Sequence, residues 1–336
     1  MKKIILVDEN ECGVSGHNAV YREALNTIEG TEIFYNVSEF PSFIKHPFKG
    51  IYSRYKYMKQ VPAGDIICLM HIDNLYAFPP ILKLLRKRST SVVGILHWFP
   101  KDQKRQLLFK MAAKYLDVIV VHSEYISYQV KKIGVRNVKV VDYPNFCQVD
   151  LNKLRMKKTE GKKVFTCLGG SRIDKGPDIL AKSFQYIPDL LCSKIKIVIA
   201  GQEGDVPYSY IRNLAQKRKI EIEFCNKKMS DEEYWQYVLD TDVILLPYKK
   251  IFTGNSGPMT DGISANKYIL GPDWGNLGFL IKKYNLGSTF EIENPQSLGE
   301  EIGRVSQINT SCEHEYRKKL EVRDFIESYK KIFESL

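Results

Sequence analysis

The sequence predicts an α/β protein made of two doubly wound domains facing a central cleft. Three observations lead there. At 336 residues the chain is long for one hydrophobic core and comfortable for two. Short apolar runs alternate with helical patterns along its whole length, as expected of mostly parallel sheets covered on both faces. A Gly-rich turn also follows an apolar run once in each half. Ile4-Ile5-Leu6-Val7 leads into Cys12-Gly13-Val14-Ser15-Gly16-His17, and Val164-Phe165-Thr166-Cys167-Leu168 leads into Gly169-Gly170-Ser171-Arg172-Ile173-Asp174-Lys175-Gly176. A strand that ends in such a turn and opens a helix presents unpaired backbone N–H groups to an anion. Two such units suit an enzyme that takes a phosphate-bearing donor from one domain and an acceptor from the other.

The elements follow in order. In the first half, apolar runs predict strands near 4–7, 32–35, 66–70, 91–97 and 118–122, with a short one near 139–141. Apolar residues at helical spacing predict helices at 18–28, 79–88, 101–116 and 124–133 between them. Asp142-Tyr143-Pro144-Asn145-Phe146 reads as the exit from the first domain, and the polar stretch 152–163 as a linker. The pattern then restarts, with strands near 164–168, 195–200, 220–224, 243–246, 268–271 and 289–290. Helices are expected at 177–184, 208–219, 230–239, 258–265 and 296–306, and 313–336 as one terminal helix. The domains are therefore expected at 1–148 and 149–312, with the terminal helix packing back toward the first.

Composition narrows the class. With 44% hydrophobic and 26% charged residues the chain is an ordinary folded protein. No stretch approaches the ~20 apolar residues of a spanning helix. The apolar run at the N-terminus is too short for a secretory signal and reads as a buried strand, so a cytoplasmic protein is expected. The seven cysteines form no C-x-x-C pair, which argues against a disulfide framework or a zinc site. The net charge of +11 is uneven: residues 1–148 carry 21 basic and 13 acidic side chains. An excess of this kind attracts polyanions, anionic lipid or phosphorylated substrates.

Two loops carry the chemistry. In the first, Arg172 offers a fork of donors for phosphate and Lys175 a compact charge, with Pro177 fitting the first turn of a helix. It is not a Walker A loop. In the second, an apolar strand and Pro247-Tyr248 feed Thr253-Gly254-Asn255-Ser256-Gly257-Pro258-Met259-Thr260-Asp261. Pro258 sits where a helix begins, with Ser256 or Gly257 near the cap. The N–H groups of Met259 and Thr260 are expected to be open to a phosphate, and Asp261 to accept from ribose hydroxyls.

These pieces, taken in order, resemble family 4 glycosyltransferases of the GT-B fold. The resemblance covers most of the chain and is clearest from 163 to 301. It rests on the loop 168–176, on Ile197-Val198-Ile199-Ala200-Gly201, on Asp242-Val243-Ile244-Leu245-Leu246-Pro247-Tyr248, and on Ser256-Gly257 through Asp261 with Asp273-Trp274-Gly275. His97-Trp98-Phe99-Pro100 and Val121-His122-Ser123 fit in the first half. The resemblance implies two Rossmann-like domains and a nucleotide-diphosphate sugar held by the second. Arg172 and Lys175 would neutralise the diphosphate, and Asp261 would bind ribose. Gly170, Thr253, Asn255, Ser256, Gly257, Met259 and Thr260 would complete the donor cradle. Gly13 and Gly16 would let backbone approach the diphosphate, and His97 would sit against the sugar. The family is retaining and needs no metal or other cofactor. The acceptor would be a hydroxyl of a glycan or lipid-linked glycan. Members often carry two glutamates eight positions apart; here Thr253 falls where the first would be and Asp261 where the second would be.

Other features are read more plainly. His17 suits either an acceptor contact or a helix cap. Asp240-Thr241-Asp242 reads as a helix end and a strand start rather than a metal site. The segment 43–59 interleaves aromatics and bases, which suits an anionic membrane surface; no nucleic-acid motif accompanies it. A nicotinamide-dependent oxidoreductase is disfavoured because Gly13-x-x-Gly16 lacks the full G-x-G-x-x-G. A non-catalytic nucleotide-sugar or carbohydrate binder on the same fold is the alternative.

Overall fold

The computed structural model describes residues 2–11, 17–36, 40, 47–73, 75–147, 149–157 and 161–336. They form two compact units, one of 1–146 with 321–336 and one of 147–320. The first unit runs β1 (Ile4–Glu11), α1 (His17–Asn26), β2 (Thr31–Asn36), α2 (Pro47–Met58), β3 (Gly64–Leu69), α3 (Pro79–Arg86), β4 (Ser89–Leu96), α4 (Gln103–Ala112), β5 (Val118–Val121), α5 (Glu124–Lys132) and β6 (Val138–Val140). The second runs β7 (Lys163–Leu168), α6 (Pro177–Ser183), α7 (Asp189–Cys192), β8 (Ile195–Ala200), α8 (Tyr208–Lys217), β9 (Glu221–Cys225), α9 (Asp231–Asp240), β10 (Val243–Leu245), α10 (Gly257–Ser264), β11 (Tyr268–Pro272), α11 (Gly275–Lys283), β12 (Gly287–Phe290) and α12 (Pro295–Ser306). A 3-10 segment, Glu315–Leu320, precedes the last helix, α13 (Val322–Glu334).

Each unit holds one parallel six-stranded sheet, ordered β2-β1-β3-β4-β5-β6 in the first and β12-β11-β10-β7-β8-β9 in the second. Alternate side chains of each strand enter different cores, as the two-residue period of a strand demands. In the first sheet Ile5, Val7, Ile67, Leu69, Val92 and Ile119 pack under α2 to α5. Their neighbours Ile4, Leu6, Ile66, Cys68, Val93 and Val120 pack under α1 and α13. In the second sheet Phe165, Ile197 and Leu245 meet α6, α8 and α12, while Leu168, Ile244 and Ile269 meet α9, α10 and α11. Both sheets reverse their winding next to their first strand, between β1 and β3 and between β10 and β7. In open α/β sheets the carboxyl ends of the strands at that reversal form the ligand crevice.

Several expectations need correction. The segment 313–336 is not one helix: it breaks into the 3-10 segment, whose Tyr316 and Leu320 belong to the second unit's core, and α13, whose Phe325, Tyr329 and Phe333 belong to the first's. Helix α11 lay unread, because Gly275, Asn276 and Gly278 depress its helical pattern. Part of the basic segment 43–59 is α2. Its Arg54 is buried and donates from Nε to Glu9 Oε2 at 2.8 Å, so this charge faces the protein and is not offered to a membrane. Among the described residues no helix is long and apolar enough to cross a membrane.

Candidate functional site

The loops after β7 and β10 leave adjacent strands at the winding reversal of the second sheet. The turn after β7 is tight. The amides of Gly169 and Gly170 both reach Ala200 O, at 2.7 and 3.1 Å. Gly169 has φ +94°, and a β-carbon there would lie 2.0 Å from Lys175 Nζ; one at Gly170 would lie 2.0 Å from Gln202 O. Glycine at 169 is thus what lets the lysine fold under its own turn. There its ammonium donates to Leu168 O at 2.8 Å and stands 5.7 Å from the Tyr248 ring centre. Burial, with the like charge of Arg172 added, pushes Lys175 down to about 8. Arg172 differs sharply. Its side chain is 57% exposed and grips the Asp174 carboxylate with Nε at 3.0 Å and Nη2 at 2.6 Å. The two cations of the loop are therefore not equivalent: one is half-buried and folded under its own turn, the other held at the surface by its neighbour.

The two loops are strapped together. Lys249 N donates to Asp174 O at 3.0 Å, and Lys249 Nζ pairs with Asp178 Oδ2 at 2.9 Å. Buried Tyr248 then connects Lys175 to the start of α10, because Ser256 Oγ and the Tyr248 hydroxyl are hydrogen-bonded at 3.2 Å. Ser256 caps α10 by accepting from Met259 N at 3.3 Å, and its carbonyl accepts from Thr260 N at 3.0 Å. This corrects the expectation for Met259 and Thr260: their amides are taken by Ser256, and both residues are buried. Earlier in the chain, the amides of Asn255, Ser256 and Gly257 make no hydrogen bond among the described residues. They are the donors this helix start offers to an anion.

Asp261 lies in the first turns of α10, 6% exposed. Tyr234 of α9 donates to its Oδ2 at 2.6 Å. Burial pushes its carboxyl up to about 7, against the pull of the Tyr234 hydroxyl. Thr253 Oγ1 is buried without a partner. So is Oδ1 of Asn276, at the start of α11, although its Nδ2 donates to Asn255 Oδ1 at 2.8 Å. Asn276 was not anticipated. No motif marked it, and its signal is structural: a buried acceptor left open costs roughly 1–3 kcal/mol unless something fills it.

In the first unit, His97 follows β4. Its Nε2 meets Met70 O at 2.9 Å, and its ring stacks on His71 with centroids 4.4 Å apart. A carbonyl only accepts, so Nε2 carries a proton, and in the neutral ring Nδ1 is the acceptor. Asp73 fixes the backbone beneath it, accepting from His97 N at 3.2 Å and Trp98 N at 2.6 Å. His122 is a structural residue. Its Nδ1 meets Val141 O at 2.9 Å, its Nε2 meets the Tyr21 hydroxyl at 3.4 Å, and burial pushes it down to about 3. Glu9, also unanticipated, is buried at the end of β1 with Oε1 unpartnered, and burial pushes it up to about 7. Gly13 and Gly16 lie outside the described residues. His17 opens α1, and its side chain lies outside the described set.

The acidic triplet has structural work. Asp240 Oδ1 accepts from Lys157 N and Gln236 Nε2, both at 2.7 Å, and Asp242 Oδ2 accepts from Val164 N at 2.8 Å.

Comparison with known proteins places this geometry. Residues 150–321, just over half of the chain, match the sequence model of the family described as glycosyl transferases group 1. No curated protein matches the chain in sequence. Solved structures match it along its whole length. The lipopolysaccharide outer core galactosyltransferase WaaB is 16% identical, with 99% of this chain and 100% of that one covered and a TM-score of 0.74. Sucrose-phosphate synthase from Thermosynechococcus elongatus is 11% identical, with 99% and 98% covered and a TM-score of 0.72. Anabaena HepE in complex with UDP and glucose is 14% identical, with both chains fully covered and a TM-score of 0.66. At these identities the likeness establishes the fold, GT-B.

Proposed function

The chain belongs to the group 1 glycosyl transferases, and from that premise we propose that it moves a sugar from a nucleotide-diphosphate donor to a hydroxyl of a glycan or lipid-linked glycan, with retention and without a metal ion. The observation that carries this reading is the run Lys175–Tyr248–Ser256. It joins a half-buried ammonium, a hydroxyl bridge and a helix start with open amides at one winding reversal. Lys175 and the amides of Asn255, Ser256 and Gly257 hold the diphosphate, and Arg172 adds a fork once it shares or leaves Asp174. Asp261 takes the ribose hydroxyls. Thr253, Asn255 and Asn276 face the sugar, with neutral groups where relatives in the resembled family often place a carboxylate. Nδ1 of His97 accepts from a substrate hydroxyl. As the bond from the anomeric carbon to phosphate breaks, charge gathers on the departing diphosphate. Donors aimed there lower the barrier. The acceptor oxygen bonds on the face the phosphate leaves, and its proton passes to the phosphate. HepE binds UDP and glucose, so uridine donors are the first choice.

A panel of UDP-sugars with released UDP as the readout tests the proposal. UDP release with at least one donor, unchanged by a chelator, is the expected result. Tight UDP binding without release or transfer from any donor supports the non-catalytic binder instead. Loss in chelator, restored by manganese, refutes the metal-free mechanism.

The neutral sugar subsite makes its own prediction. Asn276→Leu is expected to leave the Kd for UDP within about twofold, because the amide lies beyond the nucleotide. It should raise the donor KM about tenfold, the cost of one hydrogen bond to a buried acceptor. Titration calorimetry with UDP and with the UDP-sugar separates the two.

A further inference from the structure

The second unit holds a cavity of about 490 Å³ that the donor loops do not line. Val164 and Thr166 of β7, Lys196 and Val198 of β8 and Glu223 of β9 form one side of it. By the two-residue period of a strand they share a face with Leu168, Ala200 and Cys225, which end these strands and belong to the core with Trp235 and Val238 of α9. Thr166 precedes Leu168 by two residues and Val164 by four. The cavity therefore occupies the amino half of the sheet, roughly 7–13 Å along the strand from the carboxyl end. Helix α9 supplies the other wall. Glu233, Gln236, Tyr237 and Asp240 stand at i, i+3, i+4 and i+7, one face of a helix. Tyr234, which holds Asp261, lies off this stripe. A polar helix stripe ordinarily looks to bulk water; this one looks across to a threonine, a lysine and a glutamate of the sheet. The charges balance. Lys196 Nζ pairs with Glu223 Oε2 at 2.8 Å, Lys227 pairs with Glu233, and the remaining lysine and acid of the lining are Lys157 and Asp240. One polar group is open: Thr166 is 1% exposed, and its hydroxyl makes no hydrogen bond among the described residues.

We propose that this cavity is a binding site, separate from the donor loops, for a neutral mono- or disaccharide. This goes beyond the sugar-transfer reading and does not depend on it. The volume lies in the range of small-molecule sites. The lining selects the chemistry. A phosphate or carboxylate ligand would meet Glu223, Glu233 and Asp240, and a cation would meet three lysines. A sugar hydroxyl both donates and accepts, so it bonds to these carboxylates and ammoniums alike and leaves their balance intact. Val164, Val198 and the Tyr237 ring give apolar contact to the C–H faces of a pyranose. Thr166 then gains the partner that the fold does not provide.

Titration calorimetry and saturation-transfer NMR of the full chain test this with glucose, galactose, maltose and lactose, and with glucose 6-phosphate as the anionic control, all in the presence of UDP. Saturable binding of at least one neutral sugar, tighter than that of glucose 6-phosphate, is the expected result. Val198→Phe fills the cavity from its sheet side and should abolish that binding while leaving the affinity for UDP unchanged. Thr166→Val keeps the shape of the side chain and removes only the hydroxyl, so it should weaken sugar binding about fivefold, the worth of one hydrogen bond. Wild-type melting curves show that the variants are folded, and Thr166→Val carries the test alone if Val198→Phe does not fold. No saturable binding of any of the four sugars overturns the proposal. So does sugar binding of wild-type strength in a folded Val198→Phe or, failing that variant, in Thr166→Val, because the sugar then sits elsewhere. Preference for glucose 6-phosphate also overturns it and identifies an anion site instead.

Discussion

Lys175→Met is expected to lower kcat/KM for the nucleotide-sugar by about 10²–10³-fold, the usual cost of removing one donor aimed at developing negative charge. Methionine keeps the buried stem and removes only the ammonium, so the fold should persist. The same residue sets a pH limit. Burial and Arg172 hold Lys175 at about 8, so the free enzyme loses this charge as pH rises through that value, and kcat/KM should fall on a limb near pH 8. Arg172→Ala removes the neighbouring like charge and must raise the lysine's pKa, so it should move the limb upward while lowering the plateau. Measuring kcat/KM from pH 6 to 10 for the three proteins checks this. A Lys175→Met enzyme with wild-type turnover, or a limb that stays put in Arg172→Ala, contradicts the assignment.

Asp261→Asn should weaken nucleotide binding about tenfold at pH 8 and at the same time stabilise the protein. The folded carboxyl holds its proton up to about 7, far above its ordinary 3.8. Between those values the folded state binds more protons than the unfolded chain, so this group's contribution falls as pH rises through that window and stays low above it. Three pH units correspond to about 4 kcal/mol at most for a buried group. Asparagine, never charged, escapes that penalty. The melting temperature of Asp261→Asn should therefore exceed the wild type's at pH 8, with the gap closing toward pH 4. The difference in nucleotide affinity should close as the wild-type carboxyl protonates below pH 7. Tyr234→Phe removes the hydroxyl that restrains Asp261, so it should push the affinity limb to higher pH. A wild type more stable than Asp261→Asn at pH 8 would show that this carboxyl does not carry the cost of burial.

Much of this architecture was legible in the residues, and the parts that were not have physical reasons. Parallel strands buried on both faces read as continuous apolar runs, so Val164 to Leu168 or Ile195 to Ala200 could hardly be anything else. Helix α11 hid because close packing chose poor helix formers: a β-carbon on Gly278 would lie 2.3 Å from the Asp273 carbonyl carbon. The terminal segment hid its break because Tyr316 with Leu320, and Phe325 with Tyr329, each keep a four-residue helical spacing while the two pairs serve different cores. At the site, spacing found the loops but not the hydrogen-bond ledger. It could not show that Ser256 takes the Met259 and Thr260 amides, or that Asp174 holds Arg172 while Lys175 turns inward. Asn276, Asp73 and Glu9 carry no motif, and their roles exist only where the backbone brings them.

Helix α13 has a consequence for how the protein is made. Its Phe325, Tyr329, Ile332 and Phe333 cover one face of the first sheet together with α1, and the Tyr329 hydroxyl meets that of Tyr21 inside. In a growing chain this core lacks Phe325 and Tyr329 until all of Cys147–Leu320 has been synthesised and the helix appears. Domains usually mature from the amino end during synthesis. Here the order is inverted: the later-born unit, Cys147–Leu320, can finish first, while the earlier-born one lacks α13 until after it.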